Sequence, residues 1–300
     1  MNTLEQKYAQ RNRNTIFSEY GEVISVKKFP GDQYVMRIHA PTCAAKAKPG
    51  NFVHVKCDDS LSMRRPLSIM RIEDDCLEIL YKIVGNGLRN LSLKVPGSKI
   101  SLLGPIGKPF KLTNKYPIPL LIGGGVGIPP MIYIADYIRK RNINWTPMVI
   151  LGSELPFPFK LVQSKIETPW INKDINSTIS LLESWKITCR LTSLAKFEGC
   201  YNGFVTDLAD EWLKTLSKKE IENIEIFSCG PTPMLKAVAL LAKKYDIPCQ
   251  VSMEEFMACA VGGCAGCTIE IKSDNVNSMK RVCVDGPIFD ASEVVWQQYE

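Results

Sequence analysis

No concentrated block of positive charge interrupts this sequence. Its 37 Lys and Arg stand against 31 Asp and Glu, a net charge of +6 spread over 300 residues, so nucleic-acid binding is not implied. Internal repeats and low-complexity segments are also missing. With 45% hydrophobic and 23% charged residues, this excludes a disordered or fibrous protein. The opening residues, MNTLEQKYAQRNRNT, lack the apolar stretch of a secretory signal, which predicts a cytoplasmic location. Nor is there an unbroken apolar run long enough to span a bilayer. Residues 116–137 carry one charge, Asp136, but Pro117, Pro119, Pro129, Pro130 and four glycines between Gly123 and Gly127 would break a spanning helix.

What is present points to several domains. A chain of 33.6 kDa exceeds what one hydrophobic core usually supports. Residues 22–28, 33–39, 51–57, 65–72, 76–84 and 99–103 alternate or run apolar between Pro-Gly pairs, which predicts a small antiparallel barrel. After residue 115 the pattern changes to strands at 119–122, 148–151, 186–192 and 224–229, alternating with helices at 128–141, 206–216 and 233–245. That alternation predicts a doubly wound parallel sheet. Residues 155–201 are poorly patterned apart from the strand near 186–192. From residue 248 onward two short apolar runs, 267–271 and 281–284, accompany a cysteine cluster, and a segment this small is expected to rely on a metal centre for its folding. The expected boundaries are a tail at 1–15, then domains at 16–112, 113–247 and 248–300.

Eleven cysteines in a cytoplasmic chain argue for thiols or metal ligands rather than disulfides. Seven are scattered, and four fall in a pattern: Cys259-x4-Cys264-x2-Cys267, then Cys283. Ala and Gly between the first three let the backbone wrap a cluster and point N–H groups at its sulfurs. The spacing matches the run of plant-type [2Fe-2S] ferredoxins. A four-cysteine zinc site usually shows two C-x2-C pairs, and only one is present. A Rieske centre would need histidines, and the chain's two, His39 and His54, lie far away in the N-terminal barrel.

Three further strings carry chemistry. Gly123-Gly124-Gly125-Val126-Gly127, between a strand and a helix, would let backbone approach a pyrophosphate at a helix N-terminus. It also fits tight packing alone, and it is not the G-x-G-x-x-G fingerprint. Arg65-Pro66-Leu67-Ser68 offers a guanidinium for phosphate and a hydroxyl for a flavin ring, with Gly85-Asn86-Gly87-Leu88 downstream, although such an Arg is often only solvated. Cys229-Gly230-Pro231 sits where another strand meets a helix, and it reads equally as a plain helix start.

Together and in this order, the strings resemble the ferredoxin-NADP reductase-like flavoproteins. More closely, the chain is similar to the electron-transfer subunits of NAD-dependent dihydroorotate dehydrogenases. The strings Cys-Gly-Pro-Thr-Pro-Met-Leu-Lys-Ala at 229–237, Glu-Glu-x-Met-x-Cys at 254–259 and Val-Cys-x-Asp-Gly-Pro-x-Phe at 282–289 carry that likeness. The resemblance implies a FAD-binding barrel, a nicotinamide-nucleotide domain and a C-terminal [2Fe-2S] domain. It assigns Arg65 to the FAD pyrophosphate, Ser68 to the isoalloxazine edge, and Gly85 and Gly87 to the phosphate loop. Gly123 to Gly127, Cys229 and Gly230 would face NAD, with NADP not excluded, and Cys259, Cys264, Cys267 and Cys283 would hold the cluster. No side chain is then needed as a general acid or base, because hydride passes directly between nicotinamide and flavin. The implied partner is a separate FMN-containing subunit that oxidises dihydroorotate, in a hetero-oligomer without nucleic acid or membrane span. Leu88 stands where the family usually has Thr, so one hydroxyl contact to phosphate is missing. Alternatives are a similarly built NAD(P)H reductase subunit serving a hydrogenase, oxygenase or ferredoxin-linked partner, and a zinc-stabilised nucleotide-binding module.

Overall fold

The structure, a computed structural model, describes residues 16–141, 144–273 and 276–296. The expected tail at 1–15 lies outside them.

Six strands close a barrel in the order β1-β2-β5-β4-β3-β6. They are β1 (Phe17–Phe29), β2 (Gln33–His39), β3 (Phe52–Val55), β4 (Arg65–Glu73), β5 (Cys76–Lys82) and β6 (Lys99–Ile106). Every pairing is antiparallel, and the inward residues Val23, Met36, Ile38, Val53, Val55, Ile69 and Ile79 form a dry core. Period-2 alternation produces this closure because each strand has one face inside. Short helices α1 (Pro41–Lys46) and α2 (Asn86–Ser92) fill the connections.

A six-stranded sheet follows, ordered β11-β8-β7-β12-β13-β16. Its strands are β7 (Ile118–Gly124), β8 (Met148–Gly152), β11 (Thr188–Thr192), β12 (Ile224–Cys229), β13 (Cys249–Ser252) and β16 (Ile288–Asp290), and only β16 runs antiparallel. The first and third helices expected for this region are α3 (Ile128–Lys140) and α7 (Thr232–Tyr245), and α5 (Val205–Lys214) lies between them. Their observed ends lie within two residues of the expected ones. Helix α3 is buried on nearly every side because it is wedged between sheet and barrel. Tyr133 packs in the barrel core and donates to the Ala47 carbonyl at 3.0 Å. Its buried Asp136 is tolerated because Arg139 and Lys140 each reach it at 2.7 Å.

The poorly patterned residues 155–201 form a two-stranded ribbon, β9 (Leu161–Gln163) with β10 (Ser177–Ile179), then α4 (Ser180–Ser184) and β11. Residue 186 precedes the strand expected there. Lys186 has φ +58 and turns the chain into β11. A short helix α6 (Lys218–Ile221) leads into β12.

The last segment holds a small ribbon, β14 (Thr268–Ser273) with β15 (Val276–Arg281), and no separate core. Ile269, Ile271, Val282, Val284 and Phe289 join the same apolar cluster as Leu120 and Ile226 of the large sheet. The apolar run at 281–284 is only the end of β15 and a tight turn, in which the N–H groups of Val284 and Asp285 return to the Arg281 carbonyl at 3.0 and 2.7 Å. Lys108 N–H donates to the Gly286 carbonyl at 2.6 Å and Met253 N–H to the Pro287 carbonyl at 2.9 Å, strapping this segment to barrel and sheet. Among the described residues no helix is long and apolar enough to cross a membrane.

Candidate functional site

Three groups of residues make up the candidate site, on β4 of the barrel, at the turns after β7 and β12, and in the loop before β14 and the turn after β15. The first lies on β4. Among the described residues Arg65 donates to the nearby main-chain carbonyls of Met63 and Arg64, at 3.1 and 3.0 Å, both from one guanidinium nitrogen. Gly87, at the start of α2, lies against that guanidinium: a Cβ there would stand 3.3 to 3.4 Å from it. Arg65 and the turn at 85–87 are therefore brought together across 20 residues of sequence. Gly85 has nothing within 4 Å of a Cβ position, and Asn86 is exposed. Ser68 and Pro66 are half-buried, whereas Leu67 and Leu88 turn their side chains into the barrel core and leave only backbone for a ligand. Behind this wall His54 is fully buried, with neither ring nitrogen in hydrogen-bond geometry. Burial, reinforced by the Arg64 charge, lowers its pKa to about 4.

The second group is a crevice between two strand-to-helix turns. β7 and β12 are neighbours in parallel register, with Gly123 opposite Cys229. Chain order reverses between these strands, the place where open parallel sheets bind ligands. Gly127 approaches so closely that a Cβ would stand 2.4 Å from the Cys229 carbonyl oxygen and 2.5 Å from Gly230 Cα. Gly125 and Val126 project outward, Pro231 is exposed, and Gly123, Gly124, Cys229 and Gly230 are buried beneath. Burial raises the Cys229 thiol far above its usual value, aided by the charge of Glu254, so it stays protonated. Glu254 itself is exposed, yet surrounding protein desolvates its carboxyl enough to raise its pKa. Single-residue patterns do not bring Glu254 to Cys229; the pairing of β13 with β12, which sets Ser252 opposite Cys229, does.

The third group is the cysteines. Cys259 and Cys264 place their sulfurs 3.3 Å apart, as do Cys267 and Cys283. These separations are far beyond the ~2.05 Å of a disulfide, and all four thiols are free. Sequence explains both pairs. Cys267 immediately precedes β14 and Cys283 follows β15, and the pairing of Thr268 with Arg281 brings the ends of that ribbon together. Cys259 and Cys264 are joined by a loop whose Ala260 and Gly262 adopt φ +55 and +89, turning successive N–H groups inward. Cys264 N–H points at the Cys259 sulfur and Gly266 N–H at the Cys264 sulfur, each at 3.4 Å. Desolvation opposes ionisation of Cys259, yet the N–H groups of Cys264, Val261 and Gly263 outweigh it and bring its pKa down to about 6. Burial and the neighbouring Cys267 push Cys283 up to about 12, and the charge of Cys259 also acts on it.

This donor set fits a two-iron cluster. Each pair would serve one metal, and four sulfurs with converging N–H donors suit an anionic iron-sulfur core. Among the described residues no three His, Cys, Asp or Glu side chains gather around a single point, as a mononuclear zinc site would require. Two surface clefts, of about 490 and 600 Å3, lie elsewhere and include none of these residues.

Comparison with known proteins agrees. The model of the iron-sulfur cluster binding domain of dihydroorotate dehydrogenase B matches residues 254–295, which contain all four paired cysteines. The dihydroorotate dehydrogenase B (NAD(+)), electron transfer subunit of Caldanaerobacter subterraneus subsp. tengcongensis is 30% identical over 274 residues, 91% of this chain and 97% of that protein. The chain belongs to this family. The Listeria innocua electron transfer subunit is 34% identical over 261 residues, 84% of this chain and 89% of its own. In three dimensions this family member is similar to a chain of the NADH-dependent reduced ferredoxin-NADP oxidoreductase, with TM-score 0.75 and 25% identity over 93% of this chain and 91% of the other. A ferredoxin NADP+ reductase from Neisseria gonorrhoeae, with bound FAD and NADP, shares the fold at TM-score 0.54 and 16% identity, covering 76% of this chain and 91% of that one.

Proposed function

We propose that this electron transfer subunit takes electrons from a dihydroorotate-oxidising, FMN-containing subunit and delivers them to NAD. The observation that carries this reading is the coexistence, in one chain of this family, of two matched thiol pairs and a backbone-lined crevice at the sheet's reversal point. When bound, FAD and a [2Fe-2S] cluster would supply the conversion between two-electron and one-electron transfer.

The chain's own residues do the holding and orienting. Cys259 with Cys264 would hold one iron, and Cys267 with Cys283 the other. The Arg65 guanidinium would take the FAD pyrophosphate, with the backbone at Gly85, Asn86, Gly87 and Leu88 closing over it. Backbone N–H and the Ser68 hydroxyl, with Pro66 and Leu67 fixing the strand, would line the isoalloxazine edge. Turns 123–127 and 229–231 would admit the nicotinamide nucleotide, whose pyrophosphate gains from the N-terminus of α3. Cys229 stays a neutral thiol there, and no acid or base is required. The division into a barrel at 16–112, a nucleotide domain at 113–247 and a cluster domain at 248–300 follows these three tasks.

Docking of the catalytic subunit is assigned to the cysteine loop. Phe256 is 94% exposed, and Ala258, Val261 and Ala265 are exposed beside it, whereas Met257 and Ala260 of the same apolar stretch pack inward. Exposed apolar surface next to a redox centre suits a permanent partner. A hetero-oligomer in the cytoplasm is the setting this implies.

Reconstitution tests the reading. The isolated protein should oxidise NADH with ferricyanide as acceptor but fail to reduce NAD with dihydroorotate. Adding the FMN subunit should restore that reaction. Reduction of NAD by dihydroorotate without a partner would overturn the subunit assignment. Persistent NADH oxidation with no reconstituted reaction would point to a reductase serving another partner, and a colourless zinc protein would reject both.

A further inference from the structure

Gly262 sits midway along the loop between Cys259 and Cys264, and its carbonyl is engaged from outside the loop. In the same loop the Cys264 N–H points at the Cys259 sulfur at 3.4 Å. The Gly262 carbonyl accepts a 2.9 Å hydrogen bond from Arg281 Nη1. A Cβ at Gly262 would stand 2.5 Å from Val284 Cγ2, so the contact is too tight for a side chain.

Arg281 is in turn built into the segment that carries Cys283. Its N–H donates to Asp285 Oδ2 at 2.9 Å, and its Nε faces the same oxygen at 3.6 Å. Its carbonyl accepts from the N–H groups of Val284, Asp285 and Gly286, closing the turn around Cys283. One residue thus joins the loop holding Cys259 and Cys264 to the turn holding Cys283. A guanidinium on a peptide carbonyl withdraws electron density from that peptide, whose N–H here belongs to Gly263 of the same loop, and this makes that N–H a stronger donor.

We infer that Arg281 is a positioning residue for the cluster: it clamps the Gly262 carbonyl, so that the loop whose Cys264 N–H points at the Cys259 sulfur stays against the turn carrying Cys283, and together with its own charge this sets the cluster's reduction potential and retention. Asp285 partly balances the Arg281 charge and fixes its orientation. The inference rests on the assignment of the four cysteines to a [2Fe-2S] cluster. Hydrogen bonds to ligand sulfurs favour the more negatively charged, reduced state, so losing one lowers the potential.

The experiment uses the full chain purified with its iron. Iron and sulfide content and the EPR spectrum of the unmodified protein test the cluster assignment, whose failure would remove the inference with it. With the cluster present, redox titration and the rate of iron removal by a chelator are compared among variants. Arg281→Gln should lower the midpoint potential and speed iron removal about tenfold, the factor that one charge-assisted hydrogen bond corresponds to. Arg281→Lys, which keeps the charge and a donor, should recover most of both. Asp285→Asn should shift the potential the opposite way, upward, because the Arg281 charge is no longer offset. That sign separates a positioning role from loosened folding, and it stays measurable if Arg281→Gln emerges without iron. Unchanged potentials in Arg281→Gln and Asp285→Asn, faster iron loss at constant potential, or a Lys variant no better than Gln would overturn the inference.

Discussion

Gly127 touches Cys229 backbone to backbone: a Cβ on Gly127 would lie 2.4 Å from the Cys229 carbonyl oxygen. Nothing there is a flexible side chain that could move aside. Gly127→Ala should therefore force the two turns apart, at a cost of about 1 to 3 kcal/mol, and widen the nucleotide crevice. The expected outcome is weaker NADH binding, by roughly tenfold or more, with FAD still bound. Titration calorimetry with NADH, together with a flavin spectrum, checks both halves, and unchanged NADH affinity would remove the crevice from the nucleotide site.

Replacing Cys259, Cys264, Cys267 or Cys283 by Ser should lose iron while FAD remains, because each is half of a matched pair. Cys43, Cys57, Cys76, Cys189, Cys200 and Cys249 have no such partner role and should be replaceable without iron loss. Full iron and sulfide content in any of the first four variants would refute the ligand set.

Arg65→Ala should weaken FAD binding about tenfold to a hundredfold, the worth of a charge-assisted pair to phosphate of roughly 1.5 to 3 kcal/mol. Gel filtration of the diluted variant reads this directly. Flavin that co-elutes as in the unmodified protein would contradict the role.

Phe256→Asp should dissociate the catalytic subunit, since an exposed aromatic ring at an interface centre commonly contributes about 2 kcal/mol or more, roughly thirtyfold in affinity. The cluster spectrum should be intact. Sedimentation of the mixed subunits measures the first effect and visible absorption the second. An undiminished complex would move the docking surface elsewhere.

His54 gives a pH dependence of known sign. Its pKa is lowered to about 4 in the fold, by burial first, against an ordinary value near 6.5. The unfolded chain therefore binds the proton more readily. Stability from the neutral, buried ring is fully present above about pH 6.5 and is lost as pH falls towards 4, by roughly 2 to 4 kcal/mol in all. His54→Leu should flatten the denaturant-stability curve over that window. A His54 proton NMR titration with a midpoint near 6.5 would show that the ring is not desolvated.

Much of the fold was legible because the information is local. Alternation in 33–39 and 76–82 requires one buried face, and Pro-Gly punctuation sets where strands stop. Helix α3 was recognisable from Ile128, Met131, Ile132, Ala135 and Ile138, with Pro129 and Pro130 tolerated in its first turn. Residues 155–201 were not legible, since they are held by a different device. The buried Arg190 donates to the Cys189 and Ile166 carbonyls and to Thr168 Oγ1, at 2.7 Å each, and that organises the loop without any apolar period. Strand β16 is three residues long, and only its pairing with β13 makes it a strand.

The sequence by itself determined the barrel, the alternating sheet and which four cysteines are proposed as ligands, because period-2 burial and the C-x4-C-x2-C spacing act over a few residues. Tertiary structure alone decided how those parts form a site. It paired Cys267 with Cys283 through a ribbon, pressed Gly127 onto Cys229 across about a hundred residues, laid Gly87 on the Arg65 guanidinium and hooked Arg281 to Gly262. Each of these contacts depends on strand register and backbone approach between distant segments, which single-residue patterns do not encode.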